Sequence, residues 1–248
     1  MSARPAIPAA ARAELTPTGK LRAGINFQNM LLTTRGPNGE QGGVAVEFAL
    51  ELAKRLGVEC QILPYESAGG LAESVSTGAW EISVLGIEPA RAEQITFAPA
   101  LTEIEATYLV RADSPFKSVT EVDRPGVRIA VAAKSAYDLY LSRTIKQAKL
   151  VQVNGLDEAA QCFVNDNLEV LAGLKPALLE FMPTLPGSRL LDGNFYVVRH
   201  TVGTPKGKPN ADAYLAELVE DVKAAGLVAE WIKKSGVKGL GVAPAGAR

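Results

Sequence analysis

The chain has 248 residues, 47% of them hydrophobic and 21% charged, with a formal net charge of −1. That length suits one large domain or two of about 100–150 residues each. No run of Lys or Arg stands out, which excludes the electrostatic footprint of a nucleic-acid binder, and no apolar stretch approaches the roughly 20 residues that span a bilayer.

The chain opens with "MSARPAIPAAARAELTPTGK", rich in Ala and Pro and without an apolar segment long enough for a secretory signal. Residues 1–17 are expected to be a mobile lead-in. The protein is then either cytoplasmic or has lost a signal. "GKLRAGINF" (19–27) reads as a first strand. "GPNGEQGG" (36–43) lacks the GK[ST] ending of a phosphate loop and reads as a hairpin or loop entering a helix. That helix is "GGVAVEFALELAKRLG" (42–57), in which Val44, Phe48, Leu52 and Leu56 recur at helical spacing. On its polar face Glu51 and Arg55 form an i,i+4 pair, and Gly57 is a natural stop. "VECQILPY" (58–65) is a strand, "GLAESVSTGAW" (70–80) a short helix, and "EISVLG" (81–86) a strand buried on both faces. This β-α-β-α-β order predicts a parallel sheet covered by helices.

"ATYLVRADSP" (106–115) is a strand leading to a turn, after which a second α/β series begins. It alternates strands at 126–133, 149–153 and 168–173 with helices at 135–148, 156–165 and 175–183. One or two strands lie within 188–207, followed by a long helix at 210–226, capped by Asn210 and ended by Gly226, and a short one at 227–236. The pattern predicts two α/β lobes joined by two crossing strands, near Val110–Asp113 and Asn194–His200. Lobe 1 is expected over 18–111 plus 200–248 and lobe 2 over 112–199, with a small-molecule cleft between them. Cys60 and Cys162 are expected as two buried thiols rather than a disulfide. With one His, His200, they leave no zinc set, and no metal or other cofactor is expected. No Ser–His nucleophile pair is apparent.

Several strings, taken in order, resemble the extracellular solute-binding protein family 3, the polar-amino-acid-type binding components of ABC transporters. They are "LTPTGKLRAGINFQN", "GGVAVEFALELAKRLGVE", "GAWEISVLGIEPARAEQITFAPA" and "RIAVAAKSAYDLYLSRT", within a likeness running from about Lys20 to Gly236. The resemblance implies the type 2 periplasmic-binding-protein fold, a periplasmic location, capture of a small carboxylate-bearing solute, a possible ABC permease as partner, and a monomer. It also implies that Arg91, shortly after the third strand, grips the ligand carboxylate, with Gly86 exposing backbone groups at the strand end. A guanidinium is a planar fork of donors suited to a carboxylate, and open α/β sheets bind ligands at strand C-termini. A salt bridge from Arg91 to Glu93 or another surface acid is the competing role. In "KSAYD", Ser135, Ala136 and Tyr137 are expected to offer helix N-terminal N–H groups to the anion, alongside simple capping by Ser135 with Asp138.

Departures from the family pattern bear on the ligand. Where the family carries an acid for the ligand ammonium, this chain has Leu174 and Lys175. Asn29 stands where an aromatic ring is usual, next to Phe27, and Gly86 and Glu88 replace the usual hydroxyls. A small organic acid, with Lys175 helping, then becomes a candidate, unless Glu103 or Glu105 takes an ammonium. The alternative is an enzyme resembling the cyclohexadienyl dehydratases, with Glu88, Glu103 or Glu105 as general acid. A sensory domain is a third class, but the sequence carries neither a membrane helix nor a helix-turn-helix.

Overall fold

The computed structural model describes residues 7–247. The chain forms two compact units. Unit 1 holds the described residues up to Thr102, then Arg199–Val237 and those from Gly241 on; unit 2 holds Glu103–Val198 and Lys238–Leu240.

In unit 1 the chain begins with helix α1 (Ala9–Leu15) and strand β1 (Leu21–Asn26). A small antiparallel hairpin follows, β2 (Thr34–Arg35) and β3 (Gln41–Gly42), which leads into helix α2 (Val44–Leu56). Gly43 joins them at φ 93°, where a Cβ would lie 2.5 Å from the Leu32 carbonyl oxygen. Only glycine fits there. α2 buries Val44, Phe48, Leu52 and Leu56 as its periodicity predicts, and Gly57 ends it in the left-handed region. Arg55 is held by Glu51 at 2.8 Å and also by Asp221 at 2.6 Å, a partner that no local spacing reveals.

Next come β4 (Cys60–Tyr65), helix α3 (Ala68–Glu73) with a 3-10 turn at Ser74–Thr77, and β5 (Ile82–Gly86). A one-turn helix α4 (Pro89–Ala92) and β6 (Ile95–Phe97) close this stretch. β4, β1 and β5 pair in parallel in that order. Every residue of β5 is buried, the expected property of a strand covered on both faces.

Unit 2 takes nearly all of β7 (Thr102–Arg111), then β8 (Arg128–Ala132), α5 (Ala136–Thr144) and β9 (Lys149–Val153). α6 (Leu156–Asn165), β10 (Val170–Leu174), α7 (Lys175–Phe181) and β11 (Ser188–Leu190) complete it. The order is β7-β10-β8-β9, with β7 antiparallel to β10 and the other pairs parallel. Leu109, Ala130, Phe163, Leu171 and Leu178 make its core. Because Ala106–Leu109 pair with Leu171–Leu174 of β10, the chain leaves unit 1 at Thr102, well before the expected Val110–Asp113.

The chain returns along β12 (Tyr196–Pro205), whose second half runs antiparallel to β5, with His200 opposite Gly86. Helices α8 (Pro209–Ala224) and α9 (Leu227–Ser235) and the short β13 (Gly241–Val242) finish unit 1. Phe48 of α2 meets Trp231 of α9 edge to face, with ring centroids 6.4 Å apart.

The N-terminal stretch corrects two expectations. Residues 1–6 lie outside the described residues, but the rest of the expected mobile lead-in is not loose. α1 packs on α8 and buries Ala11 and Leu15 completely. Glu14 accepts from the Ala211 N–H at 2.7 Å and from Asn210 Nδ2 at 2.7 Å, so the side chain that serves the start of α8 is Glu14 rather than Asn210. A carboxylate there also suits the helix dipole. Replacing a helix-capping side chain by Ala costs about 1 kcal/mol. Glu14→Ala is therefore expected to lower the melting temperature by roughly 2–4 °C, as read by circular dichroism, with an unaltered spectrum at 20 °C as the control for the fold.

Candidate functional site

The residues singled out in the sequence fall into two sets, one in each unit. In unit 1, β5 ends at Gly86 and Pro89 starts the single turn of α4. The Glu88 carbonyl accepts from the N–H groups of Arg91 (3.0 Å) and Ala92 (2.9 Å), which fixes that turn. The turn sends the Arg91 side chain back to the strand end, where Nη1 donates to the Gly86 carbonyl at 2.9 Å. Arg91 is only 6% exposed and Glu88 is fully buried. Arg91 is thus a cation held inside the protein at a sheet's C-terminal edge, not a surface arginine.

His200 of β12 adds to this set. Its backbone lies opposite Gly86, and its ring is buried, 5% exposed. Burial first, and the Arg91 charge second, hold it neutral, with a pKa lowered to about 3. Asn29 lies beside it: Nδ2 is 3.5 Å from His200 Nε2, while Oδ1 accepts from the Leu31 N–H at 3.2 Å. The Asn29 carbonyl accepts from Thr33 Oγ1 at 2.9 Å, so the whole turn is stiff. Phe27 is buried, and the Arg35 guanidinium lies over its ring, 4.7 Å from the centroid. One face of the ring expected to neighbour a ligand is therefore covered by a cation.

In unit 2, Ser135 caps α5, its Oγ accepting from the Asp138 N–H at 3.1 Å. The Asp138 carboxylate is buried and reaches back to the Lys134 N–H at 2.7 Å, while Gln152 Nε2 donates to both its oxygens at 2.8 and 3.0 Å. This is a capping box shifted by one residue, with Lys134 left-handed at φ 57°. Asp138 is fully engaged in holding the turn. Ala136 and Tyr137 form the rest of the first turn and are buried, and burial pushes the Tyr137 hydroxyl up to about 12.

Lys175, expected to attract a second anion, is instead paired. Its Nζ lies 2.7 Å from Glu105 Oε2, and Asn194 Nδ2 donates to Glu105 Oε1 at 3.3 Å. The reason is register: Ala106 lies opposite Leu174, which brings Glu105, inside β7, beside Lys175, the residue that follows the end of β10. Glu105 is correspondingly engaged by a lysine, and Glu103 is half-buried. Sequence reading also missed a run of stacked rings. Tyr108 and Phe195 stand 4.4 Å apart, Phe195 and Tyr140 6.2 Å, and Tyr140 and Tyr196 4.3 Å, with Arg143 over Tyr140. Four rings from three elements leave no linear spacing to find.

Cys60 and Cys162 are free and half-buried, in different units. Among the described residues no cluster of three or more His, Cys, Asp or Glu could hold a metal, and no helix is long and apolar enough to cross a membrane.

No curated protein matches the chain significantly. Solved structures do. The solute receptor for L-cysteine of Neisseria gonorrhoeae matches with a TM-score of 0.77 at 19% identity, covering 92% of this chain and 95% of that one. A putative ABC-transporter binding component from Wolinella succinogenes, complexed with lysine, matches at 0.75 and 22%, covering 88% and 95%. An ancestral amino acid-binding protein, a precursor of cyclohexadienyl dehydratase, matches at 0.74 and 22%, covering 90% and 98%. At such identities the likeness speaks for the fold, which is the type 2 periplasmic-binding-protein fold. The family model for bacterial extracellular solute-binding proteins, family 3, matches residues 21–236. Nearly the whole chain is thereby accounted for, and it belongs to the bacterial extracellular solute-binding proteins of family 3.

Proposed function

We propose that this solute-binding protein captures a small carboxylate-bearing solute, an amino acid or an organic acid, in the periplasm and delivers it as a monomer to an ABC permease. The observation that carries the reading is Arg91, a nearly buried guanidinium docked on the Gly86 carbonyl at the end of β5. A guanidinium binds a carboxylate with two parallel hydrogen bonds, and open α/β sheets bind ligands at the C-terminal ends of their strands, where this one stands. Gly86, Asn29 and Phe27 are the proposed ligand neighbours in unit 1; Ser135, Ala136, Tyr137 and Lys175 are those in unit 2. The Lys175–Glu105 pair offers both charges, which suits a ligand with a second polar group of either sign.

The test is a thermal-shift panel of L-arginine, L-lysine, L-cysteine, L-glutamate and succinate, preceded by native mass spectrometry for co-purified solute. A ligand at 100 times its Kd stabilises by about 2.7 kcal/mol, or roughly 5–10 °C for a domain of this size. A panel without a shift, together with a spectrum of bare protein, overturns the reading.

A second reading is a cyclohexadienyl-dehydratase-like enzyme. Glu88, fully buried three positions before Arg91, is the acid that favours it, and the ancestral neighbour is related to such an enzyme. Release of product from prephenate, lost in Glu88→Gln, supports this reading; binding without turnover removes it.

A further inference from the structure

One unexplained group in unit 1 is the chain's single histidine, His200. Asn29 Oδ1 accepts from the Leu31 N–H, so the atom it turns toward His200 Nε2 is the donor Nδ2, 3.5 Å away. Nε2 must then accept, and the neutral ring carries its proton on Nδ1. Nδ1 is buried and has no hydrogen-bond partner among the described residues. Buried donors are nearly always satisfied, and one left unmet costs more than a hydrogen bond gains. The ring stands where β12 faces Gly86, the residue whose carbonyl holds Arg91, and the Arg91 charge is felt by it. Two donors, an imidazole N–H and a guanidinium, thus gather at one strand end.

We propose that His200 is a second donor for the bound solute: its Nδ1–H, buried at the strand end where Arg91 docks and with no acceptor among the described residues, hydrogen-bonds an oxygen of the ligand that Arg91 holds. The inference rests on the carboxylate reading above and deepens it. A neutral imidazole donor selects an oxygen acceptor without adding charge, so Arg91 remains the cation that balances the ligand. The Asn29 contact fixes the tautomer, which makes Asn29 a positioning residue for His200.

One histidine gives one set of ring signals, so nuclear magnetic resonance of histidine-labelled protein reads the site without assignment. The ring 15N shifts of the free protein are expected to show the Nδ1–H tautomer; the Nε2–H tautomer overturns the proposal. The same five probes, L-arginine, L-lysine, L-cysteine, L-glutamate and succinate, are then titrated. A probe whose binding requires Arg91 is expected to shift the Nδ1 signal; an unmoved signal under such a probe overturns the inference while leaving the carboxylate reading intact. Failure of every probe to bind in an Arg91-dependent way overturns that reading and the inference with it. Two substitutions separate ligand contact from mere packing. The amide of His200→Asn can replace an Nδ1–H donor, whereas that of His200→Gln replaces Nε2. Expected is retained affinity in His200→Asn and a loss of about tenfold in His200→Gln, the worth of one hydrogen bond. The opposite order means that His200 only supports Asn29, and it overturns the proposal.

Discussion

Arg91→Ala loses about 30-fold or more in affinity for the carboxylate ligand, since removing one partner of a buried charge pair costs about 2–5 kcal/mol. Isothermal titration calorimetry measures the loss directly. Arg91→Lys falls between the two, because it keeps the charge but lacks the fork that makes two parallel hydrogen bonds. The fold should persist. β5 is fully buried and is held by β1 and β12 irrespective of this side chain, and far-UV circular dichroism checks that. Removing the guanidinium also removes the second cause of the low His200 pKa, so the histidine should titrate at higher pH in Arg91→Ala. A variant that binds normally would show that the anchor lies elsewhere.

Acid stability provides the second large effect. His200 titrates near 6.5 when exposed and at about 3 in the folded protein. Between those values the unfolded chain binds the extra proton, so stability rises with pH. The contribution is complete above about pH 6.5 and is lost as pH falls toward 3, at up to about 1.4 kcal/mol per pH unit. From pH 7 to pH 5 the wild type should lose about 2 kcal/mol. The window matters. Glu14, Asp123, Glu169 and Glu220 all have lowered values, so what they contribute is lost as pH falls through the usual carboxylate range and below it. With one histidine in the chain, pH 5–7 isolates His200. Urea midpoints across that window should slope in the wild type and run flat in His200→Asn. Equal slopes would mean that the ring is solvated and charged.

Much of the architecture could be read from local pattern. α6 and β9 occupy the residues that their periodicity marks, 156–165 and 149–153, and α2 buries the apolar stripe that its spacing defines. Boundaries slipped where a local cue competed with packing. The helix expected over 70–80 ends at Glu73 and continues only as a 3-10 turn. The helix expected over 135–148 stops at Thr144, where Ile145 turns extended and the Asp123 carboxylate takes the N–H groups of Lys146, Gln147 and Ala148.

The sequence by itself determined the order of the main strands and helices, the family, and an arginine set just past a buried, largely apolar strand. These are carried by neighbours within a few residues, where side-chain period and turn chemistry act directly. Only the tertiary structure decided what those residues meet. Glu14 serves a helix that begins near residue 209, Lys175 is neutralised by Glu105, and His200 comes to rest against Gly86 and Asn29. Strand register and burial create those encounters, and they join positions whose separation along the chain leaves no periodic trace.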